Sequence, residues 1–126
     1  MKREAINPQE LLALNPTYNQ AVKANGLVFV AGQIGIDPAT GKLISSDIAE
    51  QARQAIENTA TIFKAAGSSL ENVVSATLYL TEFEQLGRVN TVYAEYFPQA
   101  GPAKLACGVT ALWGGAKFEI QAIAVY

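Results

Sequence analysis

The apolar residues change their period midway along the chain, and this change restricts the folds that the chain can adopt. Over residues 47–67 they recur at three- and four-residue intervals, which is typical of a helix with one buried face. Asp47 can cap this helix together with Glu50, and Gly67 suits its end. Residues 73–80 alternate instead, which predicts a half-buried strand. One face carries Val74, Ala76, Leu78 and Leu80, and the other carries Val73, Ser75, Thr77 and Tyr79.

Turn signals and further periodic segments supply the remaining elements. Asn25-Gly26 lies between two β-compatible runs and predicts a hairpin, and residues 82–97 predict a second amphipathic helix. Residues 1–16 are expected to be the least regular part. The other strands are predicted near residues 18–24, 27–34, 103–112 and 117–125, the last two joined by a Trp-Gly-Gly hairpin loop. The order β-β-α-β-α-β-β predicts one α+β domain over residues 1–126, a two-layer sandwich with both helices on one sheet face.

The last strand has two faces of different character. One face is apolar throughout and is expected to meet the helices; it carries Phe118, Ile120, Ala122 and Ala124. The opposite face is polar at its start and apolar at its end. Such a face is typical of a subunit interface whose polar end lines a cleft.

Composition excludes several classes of chemistry. The chain of 126 residues has no histidine and one cysteine, which excludes histidine-based catalytic sites, makes zinc a poor fit and rules out an intrachain disulfide. Its net charge is −2 and its nine Lys and Arg are scattered, which argues against nucleic-acid binding. Neither a phosphate-binding nor a dinucleotide-binding glycine motif is present, so no cofactor or metal is expected. The N-terminal residues lack a signal sequence and no apolar run could cross a bilayer, so we expect a soluble cytoplasmic protein without membrane contact.

Two segments, read together, resemble a known family. The sequence AGQIGIDPATGKL over residues 31–43 and the sequence FEIQAIAV over residues 118–125 are similar to those of the Rid (YjgF-like) enamine/imine deaminases, also called L-PSP endoribonucleases or translation inhibitors. The resemblance covers nearly the whole chain. It implies a chorismate-mutase-like fold and a homotrimer with ligand clefts between subunits. It also implies cofactor-free hydrolysis of small 2-enamino and 2-imino acids to 2-keto acids and ammonia.

The resemblance also implies roles for individual residues. Glu119 takes the place of the glutamate that positions the attacking water, and Tyr18 that of the pocket tyrosine. Gly32 stands where the backbone contacts substrate, and Ala31 stands where many relatives have serine. Lys104 occupies the position of the arginine that holds the substrate carboxylate, which makes it both a binding and a catalytic candidate.

Lys104 is the main departure from the family pattern. A lysine offers one mobile charge in place of a rigid fork, and the loss of one charge-assisted bond costs about 1.5–3 kcal/mol. Lys104 is alternatively an ordinary solvated lysine, or a nucleophile with a lowered pKa if it lies in an apolar pocket. The family's strand cysteine aligns with Ala106, while Cys107 faces the other way and is expected to be a small core residue. Asn90 and Tyr93 are expected to be structural.

Three functions therefore stay open from the sequence. The first is the deaminase, in which Lys104 holds the carboxylate and Glu119 orients water. The second is a trimer that binds a small carboxylate metabolite in the same clefts without turnover. The third is RNA cleavage, which the acidic charge balance and the absence of histidine disfavour.

Overall fold

The computed structural model describes residues 2–11 and 17–126 and consists of two helices packed on one mixed sheet. The strands are β1 (Glu4–Ile6), β2 (Ala21–Ala24), β3 (Leu27–Val30), β4 (Gln33–Ile34), β5 (Val73–Leu80), β6 (Ala103–Gly108) and β7 (Phe118–Val125). The helices are α1 (Ile48–Ala65) and α2 (Leu86–Tyr96), and short 3-10 turns occur at Leu70–Asn72, Phe83–Gln85 and Trp113–Gly115. The predicted α+β sandwich with both helices on one sheet face is confirmed.

The sheet has the strand order β1-β2-β3-β7-β5-β6, and β4 also pairs with β7. All pairs are antiparallel except β5 with β6. The predicted hairpin between the last two strands is therefore wrong, because β5 lies between β6 and β7. Helix α2 carries the chain back so that β6 runs parallel to β5, as parallel pairing requires a crossover.

The N-terminal part contains one confirmed and one missed element. Asn25 and Gly26 have φ values of 53° and 82°, as a two-residue hairpin turn between β2 and β3 requires. Strand β1 pairs with β2 through Glu4 and Lys23, although residues 1–16 were expected to be irregular. The apolar run over residues 11–14 lies mostly outside the described residues.

Helix α1 begins where the sequence predicts, with one added contact. The Glu50 N–H donates to the Asp47 carboxylate at 3.2 Å. Ser45 joins this cap, because its hydroxyl donates to Glu50 Oε1 at 2.5 Å and accepts from the Asp47 N–H at 3.0 Å. Gly67 follows the helix with a φ of 78°, a left-handed conformation that favours glycine.

Strand β5 contains a bulge that reverses one sequence-based assignment. Val73 pairs with Ala124, whereas Ser75 pairs with Ile123, so the register shifts between them. As a result Val73 is buried on the face of Ala76 and Val74 is 45% exposed, so the predicted grouping of Val74 with Ala76 is wrong. From Ala76 onward the predicted alternation is confirmed.

The core lies between the sheet and the two helices. The predicted inner face of β7 is confirmed, with Phe118 and Ala124 fully buried and Ile120 and Ala122 at most 2% exposed. Complete burial of one large apolar side chain contributes about 1.5–3 kcal/mol to stability. Strand β7 is thus held by its inner face against the core, and its opposite face points away from the helices.

Candidate active site

Strand β7 presents Glu119 on the sheet face away from the helices. Its neighbours Phe118 and Ile120 point into the core, so alternation directs Glu119 to the opposite face. Glu119 is paired with Tyr79 of β5 on one side and with Ile34 of β4 on the other. Its backbone is therefore held by strands on both sides.

A bulge between β3 and β4 brings Gly32 against the Glu119 carboxylate. Phe29 pairs with Ile123 and Gln33 pairs with Ile120. From one pair to the next, the chain between β3 and β4 is therefore one residue longer than the matching part of β7. A Cβ atom built on Gly32 would lie 1.9 Å from Glu119 Oε2. The carboxylate therefore occupies space that any side chain at position 32 would take.

Two cavities meet at Gly32. The larger, of about 280 Å³, is lined by Gly32, Tyr79, Leu112, Glu119 and Gln121. The smaller, of about 50 Å³, lies beside it and includes Tyr18, Gln20 and Asn58 in its wall along with Gly32. The structure thus brings Tyr18, Gly32 and Glu119 into one region, as the resemblance implies.

The Glu119 carboxylate is partly buried. Within the described residues no hydrogen-bond donor or cation contacts it. Burial disfavours the charged form and raises the pKa of Glu119 above its ordinary value. A half-buried carboxylate with free oxygens can accept a proton from a water molecule, which is what a general base needs.

The start of β7 is anchored by a buried glutamine of α1. Gln51 is 1% exposed, and its side chain donates to the Ser45 carbonyl at 2.8 Å and accepts from the Lys117 N–H at 2.8 Å. Gly35 packs directly on the Gln51 backbone, where a Cβ atom would lie 2.6 Å from the carbonyl oxygen. These contacts fix the strand two residues before Glu119.

Lys104 lies on the helix side of the sheet, at its edge. It pairs with Ala76, whose side chain is in the core, so both residues face the helices. The Lys104 ammonium donates to Asn90 Oδ1 and lies 4.5 Å from the centroid of the Tyr93 ring. Partial burial lowers the pKa of Lys104 below its ordinary value. No carboxylate of the described residues lies within ion-pair distance of it.

Within one protomer, Lys104 and Glu119 do not meet. Their strands are separated by β5, and their side chains leave opposite faces of the sheet. The sequence-based expectation that these two strands are neighbours is wrong.

Ala31, beside Gly32, is fixed by its N–H, which donates to the Gln20 carbonyl at 2.8 Å.

Several residues near Lys104 and Glu119 have positions or contacts that the sequence analysis did not predict. Asn90 and Tyr93 were expected to be structural only, yet both contact Lys104; their three-residue spacing on α2 was the available signal. Tyr79 was recognised only as a strand residue. Cys107 was expected in the core, but its pairing with Tyr79 places it on the open face, where it is half-buried. Ala106, which aligns with the family's strand cysteine, packs against the core.

The described residues contain neither a membrane-spanning helix nor a metal-binding cluster. Across residues 2–11 and 17–126, no helix combines the length and apolar character needed to cross a bilayer. In the same part of the chain, no three acidic, cysteine or histidine residues cluster as a metal site would require.

Comparison with known proteins decides the family. The sequence model of the endoribonuclease L-PSP family matches residues 9–126. The chain belongs to this family, the Rid (YjgF-like) family. A Rid relative in Bos taurus is named 2-iminobutanoate/2-iminopropanoate deaminase; it is 42% identical over 123 residues, which cover 98% of this chain and 90% of the relative.

Two further comparisons place the chain in the Rid family. A RutC family protein of Pyrococcus horikoshii is 46% identical over 107 residues, covering 85% of both chains. The crystal structure of a Rid family protein of Yersinia pestis superimposes with a TM-score of 0.94 at 33% identity, covering 99% of this chain and 100% of that one. The predicted chorismate-mutase-like fold is thereby confirmed.

Proposed function

We propose that this Rid protein is a cofactor-free deaminase that hydrolyses small 2-imino acids and their 2-enamino tautomers to 2-keto acids and ammonia. The observation that carries the proposal is the partly buried Glu119 carboxylate, which lies against Gly32 in a cavity of about 280 Å³ and has no partner among residues 2–11 and 17–126. The name of the Bos taurus relative supports the same reaction.

Glu119 positions and deprotonates the water that attacks the imine carbon. Its free oxygens accept hydrogen bonds from water, and the Gly32 backbone allows close approach at the same point. Imines already hydrolyse in water without help. Water adds to the imine carbon to give a carbinolamine, and Glu119 returns the proton to the nitrogen. The C–N bond then breaks, ammonia leaves and the hydroxyl becomes the keto group, so orientation of the water and transfer of its proton are sufficient contributions from the protein.

Lys104 holds the substrate carboxylate, and it does so from a different protomer than the one that supplies Glu119. Lys104 has no acidic partner within the described residues, so its charge is available to an anionic substrate. Since the two groups leave opposite faces of one sheet, a shared cleft requires two copies of the chain. This supports the homotrimer that the family resemblance implies, with its clefts between subunits.

The test is turnover of an imine generated in solution. 2-Iminobutyrate is produced in situ, and its disappearance is followed with wild-type protein, Glu119→Gln and, as a matched control, the exposed Glu71→Gln. We expect wild type and Glu71→Gln to accelerate hydrolysis equally, and Glu119→Gln to lose about 10²-fold or more of the activity. A wild-type rate equal to that of buffer would exclude deamination of this substrate.

A second candidate function follows from the Lys104 position. A single lysine is a weaker carboxylate clamp than the arginine it replaces, so the same clefts are also suited to binding a small carboxylate without turnover. Titration calorimetry with 2-ketobutyrate separates the two functions. Binding without any acceleration of imine loss supports the binding protein, and acceleration supports the deaminase.

A further inference from the structure

The contacts of Lys104 differ from those of Lys117 and resemble those of Lys23 in part. Lys117 is paired with Glu82 at 3.7 Å, whereas Lys104 contacts the Asn90 amide oxygen and the Tyr93 ring and has no carboxylate partner in the described part of the chain. Lys23 also lies over an aromatic ring, 4.0 Å from the centroid of Tyr126, and provides a matched comparison. No carboxylate of the described residues pairs with the Lys104 amine, and its partial burial lowers its pKa.

The surroundings of Lys104 contain two further features that suit a small ligand. Because Asn90 Oδ1 accepts the bond from Lys104, the amide nitrogen of Asn90 keeps two hydrogens, and no described residue accepts them. The Tyr93 ring, 8% exposed at the level of the residue, forms an apolar wall below the amine. The Lys104 residue as a whole is exposed, although its amine is partly desolvated beside Asn90 and Tyr93, so a small molecule can reach it.

We propose that the Lys104 amine condenses with small 2-keto acids to form a reversible imine, while the Asn90 amide donates to the acid's carboxylate. This inference rests on the proposed function only for the choice of keto acid, which is the product of that reaction. It assigns covalent chemistry to a position where the family resemblance implies only a charge.

The step is balanced without any cofactor. The amine nitrogen attacks the keto carbon, and the two amine hydrogens leave with the carbonyl oxygen as one water molecule. Only the neutral amine reacts, and the partial burial that lowers the pKa of Lys104 increases the neutral fraction. The charged form is the one that holds a carboxylate, so the two roles belong to two protonation states of the same side chain.

The experiment traps the imine by reduction. Wild-type protein is incubated with pyruvate and sodium borohydride, which delivers a hydride to the imine carbon and leaves a stable secondary amine. Peptide mass spectrometry then locates the added pyruvate on each lysine. We expect about tenfold more adduct on Lys104 than on any other lysine. Among the described residues no carboxylate pairs with the Lys104 amine, and the adjacent Asn90 amide can donate to the carboxylate of the keto acid.

Three variants make the result specific. Lys23→Arg should leave the labelling of Lys104 unchanged, and Lys104→Arg should remove the selective adduct. Asn90→Asp should also remove it, because a carboxylate at position 90 keeps the amine protonated and repels the keto acid. Labelling spread evenly over the lysines, or full labelling of Lys104 in Asn90→Asp, would overturn the proposal.

The deaminase assay on the same preparations separates this inference from the proposed function. Imine turnover together with unselective labelling leaves the deaminase standing and removes the covalent role. Selective labelling of Lys104 without turnover leaves the covalent role and removes the deaminase.

Discussion

Glu119 and Gly32 share one space: a Cβ atom on residue 32 would lie 1.9 Å from Glu119 Oε2 and 2.9 Å from its Cδ. Only the end of a flexible side chain stands in the way, and the φ angle of Gly32 is outside the left-handed region. An alanine there displaces the carboxylate without straining the backbone. A substitution at Gly32 can therefore change the site without destabilising the fold.

Gly32→Ala is expected to lose activity and to keep its stability. We expect a decrease of about tenfold or more in kcat/KM, because the displaced carboxylate no longer positions water. The urea midpoint should stay near that of wild type. Gly87→Ala is the control, since nothing lies within 4 Å of a Cβ on exposed Gly87. Wild-type activity in Gly32→Ala would contradict the role of this contact.

Gly35→Ala is expected to show the reverse behaviour. Here a Cβ atom would lie 2.6 Å from the carbonyl oxygen and 2.7 Å from the Cα of Gln51, so the obstacle is backbone that cannot rotate away. The helix must shift from the sheet, and overpacking of this kind costs about 1–3 kcal/mol of unfolding free energy. Urea denaturation measures this loss. An unchanged midpoint would show that α1 packs less tightly on β4 than the structure indicates.

Lys104→Arg is expected to raise deaminase activity. The guanidinium forms two parallel bonds with a carboxylate where the ammonium forms one, so kcat/KM for 2-iminobutyrate should rise about tenfold. Lys104→Met, which keeps the length without the charge, should lower it. If arginine brings no gain and methionine no loss, Lys104 is not the carboxylate clamp.

The pH profile of kcat/KM should be narrower than unperturbed pKa values of a glutamate and a lysine would give. Its acid limb should lie at higher pH and its alkaline limb at lower pH. Glu119 acts when ionised, and burial raises its pKa, so activity falls with decreasing pH at a value above that of an ordinary glutamate. Lys104 binds when protonated, and its pKa is lowered, so activity falls with increasing pH below the ordinary lysine value. In Lys104→Arg the alkaline limb should disappear from the accessible range, since arginine stays charged. An alkaline limb that persists unchanged in this variant belongs to another group.

The elements were predictable from the sequence where local chemistry determines them. The capping residues of α1, the Asn25-Gly26 turn and the alternation in β7 each depend on neighbours a few residues away, and all three agree with the structure. The family resemblance also located Tyr18, Gly32 and Glu119, which the structure brings together around adjoining cavities.

The relations between strands were not predictable in the same way. A bulge adds one residue without altering composition, so the exchange of Val73 and Val74 between faces could not be read from alternation. The parallel pairing of β6 with β5 depends on the path of α2, which is a long-range property. For this reason the sequence could name Lys104 and Glu119 but could not show that they leave opposite faces of one sheet.

The most direct test of the account is complementation between two variants of lowered activity. Glu119→Gln and Lys104→Met are unfolded together in equal amounts and refolded, and turnover of 2-iminobutyrate is measured. If each site takes Glu119 from one protomer and Lys104 from another, random assembly restores both residues in about one quarter of the sites, and about that share of wild-type activity returns. If the mixture is no more active than the separate variants, the two residues do not form a site across a subunit boundary, and the proposed mechanism is wrong.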